Sequence, residues 1–453
     1  MRTYQGYMDS PLPWLRKVPS HWELFRNKNI FQEVKDTVGE DASAYPLLSL
    51  TTKGIILRDV ESGKGKFPKD FNTYKVISKG DMAFCLFDID ETPRTVGLSS
   101  YNGMLTGAYT IFHVNNINPR YVYYYYLSLD NVKALRPLYS GLRKTINVGT
   151  FLGTKLPVPP STEQDQIVRF LDWKVSNINK LINIQKKQVR VIEELKEKVV
   201  CEALLHGIDA GISYKDSGIA WIGSIPSHWK VIKIKWLFDE ADERNTDETA
   251  ELLTFSKKRG LIPFSEASEK MPSASDLSNY KLLHIGQLLE NRMQAWHGMF
   301  ICADREGCVS PDYSVFLASK EREVNVKFYE YAFRSHIWVE QFANASRGVG
   351  SGFNRLYTPQ FGAIYTVYPE INEQNRIVEY LDSKMARLNA LIEQIEERIE
   401  GLEELKTTLI SDVVTGKIDV RDVEISEYEF VDEDADADSD SDDDSDDTEE
   451  QEE

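Results

Sequence analysis

The amino-acid sequence repeats itself after about 210 residues, so the chain must fold as two equivalent halves. Asp9-Ser10, Trp14 and Pro19-Ser20-His21-Trp22 return as Asp216-Ser217, Trp221 and Pro226-Ser227-His228-Trp229, each displaced by 207. A second block, Pro159, Glu163-Gln164, Ile167-Val168 and Leu171-Asp172, returns 210 residues later as Pro369, Glu373-Gln374, Ile377-Val378 and Leu381-Asp382. Leu181-Ile182 and Glu193-Glu194-Leu195-Lys196 likewise recur as Leu391-Ile392 and Glu403-Glu404-Leu405-Lys406. Between these blocks, residues 30–156 and 238–366 share little beyond length and a richness in aromatic and β-branched residues. A repeated frame around unlike inserts reads as one architectural job done on two targets. Ordinary drift of exposed domains is the plainer alternative.

Each second block opens on a Pro-rich hinge, Leu156-Pro157-Val158-Pro159-Pro160 or Val367-Tyr368-Pro369, followed by a long stretch without proline. Ser161 or Thr162 is placed to cap the first helix. Steps of four and three residues from Leu171 meet Val175, Ile178, Ile182, Gln185, Val189, Ile192, Lys196 and Val199. From Leu381 they meet Met385, Leu388, Ile392, Ile395, Ile399, Leu402, Lys406 and Leu409. Two such stripes are a coiled-coil signature. The expected helix-pair contacts are Leu171, Val175, Ile178, Ile182, Val189 and Ile192 with Leu381, Met385, Leu388, Ile392, Ile399 and Leu402. Helices related by a pseudo-twofold axis would run antiparallel, whereas in the alternative each folds back on its own module. A helix of ~40 residues spans ~60 Å, which is comparable to nearly two turns of duplex DNA at ~34 Å each. Gly207 and Gly416 stand where C-caps belong.

The expected fold class is α/β, in mixed α+β modules. The expected order is a module (1–158), a long helix (159–206), a linker (207–213), a second module (214–368), a second helix (369–416), an extension (417–431) and an acidic tail (432–453). The formal charge of −19 argues against a nucleic-acid partner only if it is spread evenly, and it is not. Residues 1–158 carry 20 Lys and Arg against 14 Asp and Glu, whereas residues 432–453 hold 15 acids and no base. The local field over a surface governs binding, so the whole-chain charge decides little. Such a tail buries no core and should stay solvated; a sharper expectation is that it competes with DNA for basic surfaces. No apolar run is long enough to span a membrane. Cys85, Cys201, Cys302 and Cys308 lie too scattered for a zinc site and fit buried or idle thiols in a cytoplasmic setting.

The paired blocks reading PxxxEQxxIVxxLD, each preceded by a variable module that begins near D-S-x-x-x-W and P-S-H-W, resemble the specificity subunit (HsdS) of type I restriction–modification enzymes. The resemblance covers about residues 4–420, and Thr415-Gly416-Lys417-Ile418-Asp419-Val420 is similar to the end of that family's second conserved helix. It implies two target-recognition domains, each reading half of a bipartite DNA site. It further implies that the helices set the gap and dock two methyltransferase (modification) subunits, with restriction/translocase subunits as further partners. S-adenosylmethionine, ATP and Mg2+ would belong to those partners, and this chain would hold neither cofactor nor metal nor catalytic residue. The tail has no counterpart in the family.

Sequence readout needs Arg, Lys, Asn or Gln at base edges, and other cations at phosphates. In the first module the densest candidate is Ser140-Gly141-Leu142-Arg143-Lys144-Thr145, where Gly141 admits close approach and Arg143 and Lys144 supply charge. Its counterpart is the loop from Ser346 to Arg355, with Arg347, Asn354 and Arg355 as readers. Further candidates are Lys53 with Arg58, Lys64 with Lys66 and Lys69, and Lys257-Lys258-Arg259. Any one surface Lys can equally be only solvated. Trp14, Trp22, Trp221, Trp229, His21 and His228 recur with the frame and so fit core packing at the module edge. The Tyr121–Tyr126 run fits a helix or strand packed on one face. Enzyme readings fare poorly: the only Pro-Pro is Pro159-Pro160 in the hinge, no phosphate-binding G-x-x-x-x-G-K-[ST] occurs, and Glu stands where a nuclease lysine would follow Pro311-Asp312. A coiled-coil scaffold carrying two ligand-binding modules remains the rival.

Overall fold

The structure is a computed structural model that describes residues 2–58, 71–139, 144–246, 250–257, 259–267, 277–348 and 354–431. It divides into two compact units, residues 1–187 with 395–453, and residues 188–394. The division runs through both long helices, Ser161–His206 and Ile371–Val414, and not at the ends of the sequence repeats. Packing explains the difference, because each unit joins one module to the start of one long helix and the end of the other.

The first unit is built on a four-stranded antiparallel sheet in the order Phe31–Val34, Thr110–Val114, Met82–Phe84, Val96–Leu98. Successive strand residues face opposite sides, and this sheet uses both. Met82, Phe84, Phe112 and Val114 face a large core with the helix Pro119–Asn131, while Ala83 and Ile111 face a smaller one with Leu48, Leu50, Ile55, Ile77 and Leu105. Tyr121, Tyr124, Tyr125 and Tyr126 are buried on that helix, and Phe31, Phe84, Phe112, Tyr126 and Phe151 form a continuous aromatic cluster. The same core takes in Ile167, Val168, Leu171, Ile178 and Ile182 of the first long helix, and Leu409, Ile410, Val413 and Val414 of the second. Val175, Ile399 and Leu402 pack at its margin.

The second unit repeats the strand order of this sheet although its sequence differs. Its sheet runs Phe238–Ala241, Tyr313–Ala318, Leu288–Asn291, Phe300–Cys302, again antiparallel. Leu288, Phe300 and Phe316 face the larger core, and Leu289, Ile301 and Val315 the smaller. The hairpin Leu48–Thr51/Gly54–Leu57 is matched by Leu253–Ser256/Gly260–Pro263, and the pair Glu23–Arg26/Lys155–Val158 by Lys230–Lys233/Tyr365–Tyr368. Ala203, Leu204 and Leu205 from the end of the first long helix share the larger core with Ile377, Val378 and Leu381 from the start of the second. Val189, Ile192, Met385, Leu388 and Ile392 are half-buried in this unit, and the residues flanking them are mostly exposed.

The helix starts differ from expectation. Ser161 is already helical, and the Pro160 carbonyl accepts from the Glu163 and Gln164 amides, a role the Glu370 carbonyl takes in the second copy. The side chains of Glu163 and Gln164 are engaged elsewhere, and the hinge carbonyl starts the ladder. At the other ends Gly207 and Gly416 take the left-handed conformation, φ +76° and +75°.

Candidate nucleic-acid interface and the latch behind it

The repeated motif is a latch between module and helix. In the first unit Glu163 is buried and receives the Tyr4 hydroxyl at 2.7 Å and the Trp22 indole N–H at 2.9 Å, with His21 Nε2 at 2.8 Å. Gln164 donates to the Pro159 carbonyl at 2.8 Å and accepts from the Asn118 amide at 3.0 Å, while the Asn118 side chain caps the helix Pro119–Asn131. Two turns on, Asp172 accepts from Arg120 Nε and the Tyr124 hydroxyl, both at 2.7 Å. The second unit keeps the design. Gln374 donates to the Pro369 carbonyl at 2.9 Å and accepts from the Asn325 amide at 2.8 Å, and Asp382 accepts from Lys327 at 3.0 Å and Tyr331 at 2.7 Å. Burial, and then the Asp382 carboxylate, pushes the Tyr331 phenol up, so it stays a donor. The copies differ at the glutamate: Glu373 has His228 Nε2 at 2.8 Å, but the buried Trp229 indole N–H finds no partner.

The candidate readers lie outside the latch, on loops and hairpin turns. Gly141, Arg143, Lys64, Lys66, Lys69 and Lys258 lie outside the described residues, as does the tail 432–453. Lys144 is exposed, adopts φ +47° and lies 3.3 Å from Glu91. In the second unit Arg347–Gly348 and Asn354–Arg355 pair as a short antiparallel ribbon that sets Arg347 directly opposite Arg355. Arg347 and Asn354 are exposed, and Arg355 lies 3.4 Å from Asp312. The ribbon is tied down by the Leu356 amide donating to the Arg292 carbonyl, and Arg292 in turn donates to the carbonyls of Asp312 (2.8 Å) and Pro311 (2.7 Å). Exposed pairs such as Lys144–Glu91 and Arg355–Asp312 hold weakly, and a phosphate or a base edge competes well for the cation.

The remaining candidates fall on equivalent hairpins. Lys53 occupies the exposed turn of Leu48–Thr51/Gly54–Leu57, and Arg58 follows that hairpin with its amide on the Leu47 carbonyl. Lys257 and Arg259 occupy the turn of Leu253–Ser256/Gly260–Pro263, where Arg259 donates to the Glu266 carbonyl at 3.1 Å. Gly54 and Gly260 take positive φ at matching places in the two turns. Divergent sequences therefore deliver cations to the same element of both modules, which only the topology reveals. Reading the sequence also missed a pair of inward lysines, Lys75 and Lys281, whose pKa values burial lowers. Lys75 donates to the Tyr109 carbonyl at 2.6 Å, and Lys281 lies 3.6 Å from Glu240. Their spacings from the repeated tryptophans, 53 residues after Trp22 and 52 after Trp229, were the available signal.

Fold and latch define a class: a duplicated protein of mixed helices and sheets, whose two unlike modules are fastened by one shared motif to two long helices. Residues 19–191 match the family described as Type I restriction modification DNA specificity domain. Two Methanocaldococcus jannaschii proteins described as type I restriction enzyme specificity subunits, MjaX and MjaVIII, are each 22% identical to this chain. Their alignments cover 89% and 90% of this chain and 95% of each relative. A chain solved in work on complex assembly and conformational transition of the type I R-M system superposes with a TM-score of 0.61 at 14% identity, covering 88% of this chain and 99% of that one; it supports the fold. Over most of its length the chain is similar to specificity subunits of type I restriction–modification systems. No helix among the described residues is long and apolar enough to cross a membrane.

Proposed function

We propose that this chain is the DNA sequence-recognition subunit of a type I restriction–modification complex, with each module reading one half of a bipartite site. The observation that carries this reading is the contrast within the duplication. The two modules have one strand order and one latch, yet their loop residues differ at Lys144, Arg347, Asn354 and Arg355. Evolution of two specificities on one scaffold leaves that pattern. The seam residues of the two long helices support an antiparallel coiled coil that sets the gap between half-sites and docks two methyltransferase subunits. The chemistry, with S-adenosylmethionine, ATP and Mg2+, enters with the methyltransferase and restriction partners, and this chain supplies address and spacing. The scaffold alternative predicts no salt-sensitive DNA affinity, whereas the reader's affinity falls steeply with salt.

Methylation-sensitive sequencing of DNA from cells with and without the gene tests the reading. A split motif methylated only when the gene is present is the expected result. Exchanging the loops of the second module alone should change one half of that motif and spare the other. An unchanged methylome on deletion of the gene would remove the proposal.

A further inference from the structure

The duplication supplies an internal comparison, because residues 210 apart occupy matching positions on the two long helices. Beyond Gly416, residues 417–431 stay in the first unit and run along the first helix. Gln166 Nε2 donates to the carbonyls of Val420 (3.0 Å) and Val423 (2.8 Å). Farther on, Asn179 Nδ2 donates to the Val431 carbonyl at 3.0 Å, and the Val431 amide donates to Ser176 Oγ at 3.2 Å. Lys180 Nζ lies 3.7 Å from Glu429, and the Arg120 guanidinium sits 4.8 Å from the centre of the Phe430 ring. Val423 and Ile425 pack against the core of that unit. From Gln166 to Asn179 this strap follows ~20 Å of helix.

The second helix has the first of these steps and lacks the rest. Arg376 stands where Gln166 does and pairs with Asp209 of the linker, after which the chain turns into the strand Tyr214–Asp216. Ser176, Asn179 and Lys180 correspond to Ala386, Asn389 and Ala390. Ser176 and Asn179 are buried, whereas Ala386, Asn389 and Ala390 are exposed. One of two matching helix faces is covered by the chain's own segment, and the other is open among the described residues.

We propose that residues 424–431 form a displaceable lid over the methyltransferase-docking face of the first helix, so that the two matching faces receive their partners unequally. The proposal rests on the reading above that the long helices dock methyltransferase subunits. The lid is built to leave. Its contacts are single hydrogen bonds, an open ion pair, a half-exposed Phe430 under Arg120 and one apolar anchor, Ile425, at the margin of the core. A partner burying a full interface outcompetes them. The second-helix face accepts a methyltransferase subunit directly, and the first-helix face accepts one only after the lid lifts.

The test is a mass-photometry titration of the full chain with the methyltransferase subunit of a type I system that it pairs with. Two truncations, after Val431 and after Val423, separate the lid from the acidic tail. A third variant, Ser176→Cys with Val431→Cys, keeps the whole chain and ties the lid down on oxidation, since the Val431 amide already lies within 3.2 Å of Ser176 Oγ. The full chain and the Val431 truncation should bind the first copy at least about tenfold tighter than the second, and the Val423 truncation should bring the two within about threefold. The oxidised double-cysteine chain should hold one copy and its reduced form two. Equal affinities in the full chain, or a gap that survives both the truncation and reduction, would overturn the lid. Failure of every variant to bind any copy would overturn the underlying assignment of the helices.

Discussion

At the residue scale the two halves offer paired experiments. Glu163 satisfies three donors in a buried site, and truncating it strands the Tyr4 hydroxyl and the Trp22 indole, at about 1–3 kcal/mol for each unsatisfied group. Among the described residues Glu373 has His228 as its side-chain partner, and the Trp229 indole N–H has none. Glu163→Ala should therefore destabilise its unit by roughly 2–4 kcal/mol, and Glu373→Ala by clearly less. Unit-resolved hydrogen exchange reads both, and equal losses would contradict the argument. His21 and His228 were legible as structural because they recur with Trp and Pro, but the acid they meet lies more than 140 residues away and only the fold brings it near. Glu290 was not legible at all. It occupies the register position that Phe84 holds in the first module, fully buried and directly opposite Ser314. Burial raises its pKa well above 4.5. Above that ordinary value the folded state keeps a proton the unfolded chain has released, so stability falls as pH rises, by up to about 1.4 kcal/mol per unit until the folded pKa is reached. Glu290→Gln should flatten the pH dependence of the second unit above pH 4.5, with a gain over wild type that grows with pH. Parallel curves would show that the carboxyl is not what titrates.

At the element scale, helix ends and turns separate stability from recognition. A Cβ at Gly416 would come within 2.4 Å of Pro19 Cδ, whereas at Gly207 the nearest atoms are 3.4 Å away. Both substitutions strain a positive φ, at ~1–2 kcal/mol, but Gly416→Ala adds overlap worth ~1–3 kcal/mol. Its melting temperature should fall further than that of Gly207→Ala, and the reverse order would place the close contact elsewhere. Both glycines could be read from sequence as helix ends, but the crowding at one of them could not. The recognition elements divide similarly. Arg347 and Arg355 face each other across the ribbon and Lys257 sits in a hairpin turn, so on the proposed reading the arginines fork onto base edges and the lysine meets phosphate. Arg347→Ala or Arg355→Ala should cost about 1–3 kcal/mol on the cognate site and relax the sequence at one half of it. Lys257→Ala should weaken all duplexes alike and lower the salt slope by about 0.9. A uniform loss in the arginine variants would demote the ribbon from reader to anchor. The loop chemistry was visible in the sequence as Gly with Arg, but the cross-strand pairing was not, because no local pattern announces a two-residue ribbon.

For the whole molecule, the duplication and the 4–3 apolar stripes announced two modules and two long helices. The strand order inside the modules stayed hidden, since residues 30–156 and 238–366 diverge while their strands pair identically. Sheets tolerate this because each strand needs only alternation and volume, which Met82 and Phe112 meet in one unit and Leu288 and Phe316 in the other. The same tolerance lets modules be exchanged while the latch and the helices stay fixed, so the spacing of the two half-sites should belong to the helices alone. Seven residues added to each helix, after Lys187 in one and after Gln394 in the other, preserve the stripe and lengthen each rod by ~10.5 Å. At ~3.4 Å per base pair, the unread centre of the methylated motif should grow by about three base pairs while both half-sites keep their sequence. An unchanged centre would mean that the gap is set by the methyltransferase partners and that the helices serve only to hold them. Altered half-sites with an unchanged centre would mean that the modules, and not the rods, carry the spacing.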